Sequence, residues 1–498
     1  MQLVNPIFDV LIISGLVPVI TTFVAFFMKG KEKLKYLGLI GFIGYIILII
    51  YILQDGVWNS DFELTLMDIP GSSKLALTDF SRFFILVFSI LALPTYLHSI
   101  NYMEEDRNLG NYYVLVGVML FGLIGITVAD DLFTFFVFWE AMAISSYVLV
   151  GFRYHLDEPL EAAVKYIVIS GVASLLLLYG ISFVYGLVGA LTLDSILSFL
   201  AGVGGKSLFP VLLAASLFMI GFGVKAAYFP LWTWLPDAHP AAPSPISALL
   251  SGIVIKAGIL GLAKFAIPFF LMDTDIFYPI FLVITLLTLT AANLMALMQD
   301  DIKRLLAYSS IANIGFILIG YTVAVKGYVD IGLTSAFAHV FTHALGKGAA
   351  FLAVGGILYL IHTRSISKLE GFGKVYPSVA SILMLALFSL GGLPPLPGFW
   401  SKWLLIFSAV EAGELLLAFF GVLNSVFAVI YYIWLFQRLF FSEPSEELKK
   451  GKPLPPYLGS SLLMIGILLL AFGLFPNLIY EPAYSAASYL SSLLQSFL

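Results

Sequence analysis

Cysteine is absent from this 498-residue chain, and charged residues are scarce. Without cysteine the chain cannot ligate an iron–sulfur cluster through thiolates, and it cannot form a disulfide. It also lacks a nucleotide-binding loop and the HExxH zinc motif, so we expect no cofactor and no bound metal. Asp, Glu, Lys and Arg make up only 11% of the residues, too few to cover a soluble protein of this size. Any redox chemistry must therefore belong to partner chains.

Apolar sequence is what the chain has instead. Hydrophobic residues make up 60% of it, and the mean hydropathy is +1.01. A helix needs about 20 apolar residues to cross a bilayer. The sequence contains about 14 such segments and predicts an all-α polytopic membrane protein. We number the segments as spans 1 to 14, with residues 6–28, 36–53, 80–100, 111–129, 132–150, 162–188, 210–240, 244–264, 276–298, 305–323, 331–361, 376–410, 415–439 and 457–475.

Three of these spans, the seventh, eleventh and twelfth, are too long for simple helices. Span 7 carries Pro230 and Pro236 near its middle, and span 12 carries Pro394, Pro395 and Pro397. Proline breaks a helix, and a membrane tolerates the freed backbone groups only where protein or water satisfies them. Spans 7 and 12 are therefore predicted to be broken helices.

The two broken spans lie five spans apart, and a pair of acidic residues repeats with the same offset. Asp130 and Asp131 lie at the start of span 5, and Asp300 and Asp301 lie at the start of span 10. An odd offset puts the two pairs on opposite sides of the membrane, as two inverted repeats require. We predict inverted five-helix repeats made of spans 4–8 and spans 9–13.

The predicted organisation is one membrane domain, residues 1–498. It divides into residues 1–110 with spans 1–3, a first repeat at 111–264, a second repeat at 276–440, and residues 457–498 with the last span and an amphipathic tail. In the tail, Leu490, Leu493, Leu494 and Phe497 recur at helical spacing. We expect the tail to lie along the outer membrane surface.

Lysine and arginine are unevenly distributed between the loops. When the loops are numbered alternately from 29–35 (KGKEKLK), most basic loop residues fall on that side. Cytoplasmic loops carry this excess, so both termini are predicted to lie outside. The expected location is the plasma membrane of a prokaryote.

Five ionisable residues fall near the middle of separate spans: Glu140, Lys225, Lys256, Lys347 and Lys402. A charge in hydrocarbon costs at least a few kcal/mol, so side chains of this kind are rare there unless they serve a function. The alternative is a set of static buried ion pairs that fix helix register. One carboxylate cannot neutralise four lysines, which favours an ion pathway.

Span 11 carries the sequence HVFTHALGKG, which places His339, His343 and Lys347 at positions i, i+4 and i+8. Such residues share one helix face in steps of about 6 Å. With bridging waters this ladder suits proton hopping, because imidazole titrates near neutral pH. The alternative is that each histidine only makes a hydrogen bond between helices.

Three further residues are auxiliary candidates for the proton path. Lys165 lies only four residues inside span 6 and is long enough to reach the cytoplasmic interface. Asp237 and His239 occupy the proline-rich turn between spans 7 and 8. This turn is either an entrance or a loop with a purely structural role, and the sequence slightly favours the structural role.

Three long motifs resemble the antiporter-like membrane subunits that are shared by complex I, Mrp cation/proton antiporters and energy-converting membrane-bound hydrogenases. They are LPDAHPAAPSPISALLSGIVIKAG at 235–258, the ladder of span 11, and GLPPLPGFWSKW at 392–403. The resemblance covers nearly the whole chain. By position, Glu140, Lys225, Lys256 and Lys402 match the family's ionisable residues in helices 5, 7, 8 and 12. In having lysine at the last of these positions and a short C-terminal tail, the chain is similar to the D-, M- and N-type subunits of the family.

This resemblance implies two half-channels joined by a polar axis, and tight packing against sister antiporter-like and small membrane subunits. The expected function is proton translocation by charge switching, in a membrane-bound hydrogenase-type, Mrp Na+/H+ antiporter or complex I-like assembly. In a hydrogenase-type or complex I-like assembly, we also expect a peripheral redox arm carried by other chains. A stand-alone secondary transporter of a cation or small solute is the main alternative, and a quinone-reducing subunit is a third. The sequence leaves open the type of complex, the direction of transport and whether sodium crosses with the proton.

Overall fold

The computed structural model describes residues 5–28, 30–65, 73–203, 208–444, 448 and 452–495. Phe497 of the predicted tail stripe, and the loop lysines Lys29, Lys449 and Lys450, lie outside these residues. The described chain is almost entirely helical, and the prediction of an all-α polytopic membrane protein is confirmed. Eleven of its helices are long and apolar enough to cross a membrane.

Every predicted span is occupied by helix. The bounds of spans 1 to 6 are Pro6–Phe27, Leu37–Ile52, Asp79–Tyr102, Leu109–Val128, Leu132–Val150 and Asp157–Val188. Span 7 consists of Phe209–Ala226 and Leu235–Ala241, span 8 covers 244–270, and spans 9 to 11 are Thr274–Leu297, Ile302–Val325 and Val329–Ile361. Span 12 consists of Pro377–Gly391 and Pro397–Glu411, and spans 13 and 14 are Leu415–Phe441 and Pro456–Leu474.

Short elements connect the spans. Among the described residues, four short helices lie between spans, Lys31–Leu34, Asp55–Trp58, Leu193–Val203 and Phe372–Val375, together with the 3₁₀ turns Leu271–Asp273 and Ile366–Lys368. Two strands, Phe62–Thr65 and Lys74–Leu77, pair antiparallel with Phe62 opposite Leu77. The sequence prediction did not include these strands or the helix Leu193–Val203.

The breaks in spans 7 and 12 fall where the prolines predicted them. Ala227 ends the first half of span 7 in the left-handed conformation, and Gly392 does the same in span 12. Span 11, in contrast, runs without interruption for 33 residues, although its length had suggested that it was not a simple helix. It contains no proline, and nothing else in its sequence breaks the backbone hydrogen-bond ladder.

Two matching backbone bridges relate the proposed repeats. Leu132 N–H donates to Leu191 and Leu193 N–H donates to the carbonyl of Asp130, which ties the start of span 5 to the chain after span 6. In the second repeat Ile302 N–H donates to Arg364 and Ile366 N–H donates to Asp300, between the start of span 10 and the chain after span 11. This correspondence is what two copies of one helical unit would produce.

The two bridges lie at opposite ends of the bundle, which we call the Asp130 end and the Asp301 end. Span 6 runs between them. It begins with Glu158, which binds Arg364 at the Asp301 end, and it ends beside the Asp130 bridge. The repeats are therefore inverted with respect to each other.

Spans 3, 10 and 11 form the centre of the bundle, where most of their residues are buried. Spans 7 and 8 pack backbone to backbone at Gly258. A Cβ atom there would lie 2.5 Å from the carbonyl oxygen of Phe222 and 2.6 Å from the nitrogen of Ala226. Only glycine permits such a backbone contact, which brings the segments that carry Lys225 and Lys256 together.

The C-terminal tail forms the helix Asn477–Gln495 and packs against spans 11 and 3. Leu490 and Leu494 of the predicted stripe are buried in this contact. The stripe thus meets protein, and its placement along the outer membrane surface stays a prediction.

Candidate functional site: a buried line of lysine and histidine

Lys225 lies in the last turn of the first half of span 7, directly before the break. Its side chain is buried, and its Nζ donates to the hydroxyl of Tyr166 at 2.9 Å. The centroids of the Trp139, Tyr147 and Tyr166 rings lie 5.9, 5.2 and 5.0 Å from Nζ. A helix C-terminus and aromatic faces both favour a positive charge. The break in span 7 therefore creates a place for an ammonium group.

Glu140 lies near Lys225 but does not pair with it directly. No ion pair within 4.0 Å joins the two among the described residues, although the carboxylate is near enough to act on the amine electrostatically. The Oε1 atom of Glu140 is buried and has no protein hydrogen-bond partner. The two groups therefore influence each other through space without a static contact.

Lys256 is fully buried in span 8, immediately after an irregular turn. Residues Leu250–Val254 form a π-helix, and a second one covers Leu262–Ala266. A π-helix shifts the backbone hydrogen-bond register, and such turns are frequent at functional sites. The Nζ of Lys256 donates to the carbonyl of Ser251, inside the first irregular turn. The distortion thus supplies the acceptor for the buried amine.

The ladder of span 11 lies on one face, as the spacing predicts. The rings of His339 and His343 are parallel within 3°, with centroids 6.1 Å apart. His339 contacts Ser401 at 2.9 Å through Nδ1 and Asn313 at 3.2 Å through Nε2. Lys347 donates to the carbonyl of Leu306 at 3.0 Å and to Ser309 Oγ at 2.6 Å.

His343, in the middle of the ladder, is completely buried, and neither of its ring nitrogens has a hydrogen-bond partner in the described part of the chain. It lies within electrostatic range of Lys256, Lys347, His339 and Lys402. Buried polar groups are almost always hydrogen-bonded to protein or to ordered water. His343 is thus the point at which spans 8, 11 and 12 bring their ionisable groups together.

Lys402 lies in the second half of span 12 and reaches back across the break. Its Nζ lies 3.4 Å from the carbonyl of Gly391, at the C-terminal end of the first half, and 4.0 Å from the centroid of the Phe316 ring. A cavity of about 630 Å³ beside it is lined by Trp403, Val422 and other apolar residues that face away from the bundle. Lys402 therefore ends the line at one flank of the chain, beneath an apolar groove.

The auxiliary candidates divide into two groups. Lys165 and Asp237 form a partly exposed ion pair of 3.1 Å at the Asp301 end, which Arg304 and Glu161 extend. His239 is instead buried and stacked on Phe351 with centroids 4.6 Å apart, and neither ring nitrogen has a hydrogen-bond partner among the residues that the structure describes. His239 lies within electrostatic range of Lys256 and Lys347, so it joins the buried line.

A polar cavity of about 760 Å³ opens at the Asp301 end. Tyr102, Arg153, Arg364 and Lys303 contribute to its wall. Lys303 is almost completely buried and donates to the carbonyl of Ala242 at 2.5 Å, in the turn that follows His239. The cavity therefore reaches the turn between spans 7 and 8.

Sequence reasoning missed several polar partners of the line. Tyr166 accepts from Lys225, and Ser309 joins Lys347 to the hydroxyl of Tyr432. Lys303, which lies between predicted spans 9 and 10, and Lys264, the last residue of predicted span 8, are both buried. Lys303 follows Asp301 by two positions, so its proximity to a helix start was visible, but the burial of its amine depends on a contact with a distant turn.

The described residues contain no group of three or more His, Asp or Glu side chains suited to a metal ion. The fold and the buried line together define a polytopic membrane protein with inverted repeats and broken helices. Residues 129–428 match the family model described as NADH:quinone oxidoreductase/Mrp antiporter, TM, and the chain belongs to this family. The resemblance found in the sequence motifs is thus confirmed.

Two curated relatives match nearly the full chain. The F(420)H(2) dehydrogenase subunit N of Methanosarcina mazei is 30% identical over 96% of this chain and 97% of its own length. The NADH-quinone oxidoreductase subunit N of Dehalococcoides mccartyi is 31% identical over 94% of this chain and 95% of its own. Both relatives are named as subunits of larger enzymes.

Two solved structures have the same fold. A chain of the membrane-bound sulfane sulfur reductase, an archaeal respiratory membrane complex, matches with a TM-score of 0.83 and 26% identity over 99% of both chains. A chain of the Mrp complex from Dietzia sp. DQ12-45-1b matches with a TM-score of 0.81 and 23% identity over 98% of both chains. At 23% identity, the similarity to the Mrp complex chain shows that the fold is shared and nothing further.

Proposed function

We propose that this chain is a proton-translocating, antiporter-like subunit of a multisubunit membrane complex. The observation that carries the proposal is the buried line itself. Lys256, Lys347 and Lys402 have no carboxylate within 4.0 Å among the described residues, and each uses backbone carbonyls, hydroxyls or an aromatic ring instead. Unpaired buried amines are costly, so groups that only fixed the fold would be replaced by apolar residues at little loss.

Protons move along this line by charge switching. When one amine or imidazole gains a proton, its charge opposes protonation of the next group, and loss of that proton reverses the effect. Glu140 and Lys225 form the first unit, and Lys256, the ladder of span 11 and Lys402 form the second. Waters bound to His343 and His239 provide the bridges that the protein atoms do not.

The polar cavity at the Asp301 end is the proposed entrance, leading past Lys303 to His239. The basic loop residues assign this end to the cytoplasm and both termini to the outside. Lys165 and Asp237, which form a partly exposed ion pair at the same end of the bundle, are proposed to collect protons from solution. Loading from this side and release to the other requires the inverted arrangement of the repeats.

Sister subunits are proposed to cover both ends of the line. Lys402 lies below a groove whose lining residues Trp403, Val422, Val426 and Ile430 are 60, 49, 51 and 50% exposed in the isolated chain. Trp and aliphatic side chains around a buried cation fit a membrane helix that presents a carboxylate. The redox chemistry or ion gradient that drives translocation is supplied by other chains of a complex I-like, Mrp-type or hydrogenase-type assembly.

The test compares the complex with the isolated chain. The complex is purified through a tag on this subunit, placed in vesicles and energised in turn by electron donors and by a sodium gradient, while a pH-sensitive dye reports proton movement. We expect proton movement from the complex and none from the chain alone. Equal transport by the isolated chain would contradict the proposal and favour a stand-alone secondary transporter. The driving force that works identifies the type of complex.

A further inference from the structure

Lys225 occupies a box of aromatic side chains in which only one member touches its amine through a polar atom. That member is Tyr166 of span 6, whose hydroxyl accepts from Nζ at 2.9 Å. The Tyr166 ring is stacked on Trp234, with centroids 4.0 Å apart and an angle of 4°. Trp234 in turn donates through Nε1 to the carbonyl of Val224, next to Lys225, at 2.8 Å. The hydroxyl is thus held in place by both sides of the break in span 7.

The direction of the hydrogen bonds at Tyr166 follows from its second partner. Ser146 Oγ lies 3.1 Å from the Tyr166 hydroxyl, and it donates its only proton to the carbonyl of Ala143 at 2.6 Å. Ser146 can therefore only accept from Tyr166. Because the Tyr166 proton points to Ser146, its lone pairs point to Lys225. The chain of bonds presents an acceptor to the amine, and an acceptor binds a charged ammonium more strongly than a neutral amine.

We propose that Tyr166, oriented by Ser146, is a positioning residue that stabilises the protonated form of Lys225 and so sets the pH at which this lysine releases its proton. This rests on the proposed function, because it concerns a step of proton translocation. Tyr166 itself neither gains nor loses a proton in this role.

Other groups face Lys225 as well. Glu140 and Tyr147 approach it from span 5, and Lys256 belongs to span 8, which packs against the same half-helix. Glu140 opposes release of the proton through its negative charge. These groups stay unchanged when only the hydrogen-bond chain from Tyr166 to Ser146 is altered, so its contribution can be measured separately.

The test is the pH profile of proton translocation by the whole complex in vesicles. Tyr166→Phe keeps the ring and its stack but removes the acceptor. Lys225 then loses its proton more readily, so the alkaline limb of the profile is expected to shift to lower pH by about 1 unit. Ser146→Ala frees the Tyr166 proton to turn toward Lys225 and is expected to move the limb in the same direction by a smaller amount. A profile unchanged in both variants would overturn the inference.

Matched controls separate this effect from a general loss of packing. Tyr45→Phe removes a buried hydroxyl that has no hydrogen-bond partner among the described residues. Ser145→Ala removes a serine hydroxyl, one residue from Ser146, that donates to the carbonyl of Ala141. Both should retain the unaltered profile. If the controls shift as much as the variants, the inference is wrong. If instead complexes with Lys225→Gln translocate protons normally, it is the proposed function that fails.

Discussion

Proton translocation is expected to fall by about a hundredfold or more when Glu140 is replaced by glutamine, because among the described residues the variant removes the one carboxylate that acts on Lys225. The amide has the same size as the carboxylate, and Glu140 forms no ion pair within 4.0 Å among the described residues. The fold therefore loses no direct contact. The rate is measured as dye-reported proton uptake by vesicles that contain the assembled complex.

The control for this variant is Glu370→Gln, which removes a carboxylate from a partly exposed surface pair with Arg438. Its translocation rate and its assembly should match those of the unaltered complex, because exposed pairs contribute little to stability. Unchanged translocation in Glu140→Gln would refute the role of this residue. Loss of assembly in that variant would instead show that Glu140 stabilises the structure.

The second large effect is expected from Lys347→Met, which should stop proton transfer between His343 and the rest of the second repeat. Methionine has nearly the length of lysine but cannot carry a proton. The acceptors that Lys347 leaves keep other partners, since the Leu306 carbonyl also accepts from Ser310 and Ser309 also bonds to Tyr432. We expect a loss of about a hundredfold in rate.

Lys347→Met also gives a stability prediction with a definite sign. An amine buried without a carboxylate partner is costly, and no new unsatisfied group is created by its removal. The thermal midpoint of the complex should therefore stay the same or rise, while translocation is lost. Lys374→Met, at a surface pair with Glu443, is the control and should change neither quantity. A lower midpoint together with normal translocation in Lys347→Met would show that this lysine serves the fold.

Local sequence features predicted the parts of the structure that depend on neighbouring residues. The prolines clustered near the middle of spans 7 and 12 predicted the breaks there, because each proline removes a backbone N–H from the helix hydrogen-bond ladder. The i, i+4 spacing of His339 and His343 predicted a shared face, and the parallel rings follow from helix geometry. The motif at 235–258 carried the family resemblance that the comparisons confirm.

The remaining features depend on contacts between residues far apart in the chain. The π-helices around Lys256 contain no proline themselves, and they pack against spans 7 and 11, which lie far from them in the sequence. The contact between Tyr166 and Lys225 could not be predicted for the same reason, because the two residues are 59 positions apart in the sequence. Lys264 looked like a loop residue because it ends an apolar segment, yet it is buried against Asp130 at 3.1 Å.

The central claim is that ionisable side chains from spans 7, 8, 11 and 12 are joined by water into one proton path. A cryo-electron microscopy map of the complex at a resolution that shows ordered water tests it most directly. Water density is expected within hydrogen-bond distance of both ring nitrogens of His343 and of His239, continuing toward Lys256 and Lys347. A map of that quality with these side chains well defined and no water beside any of them would contradict the claim.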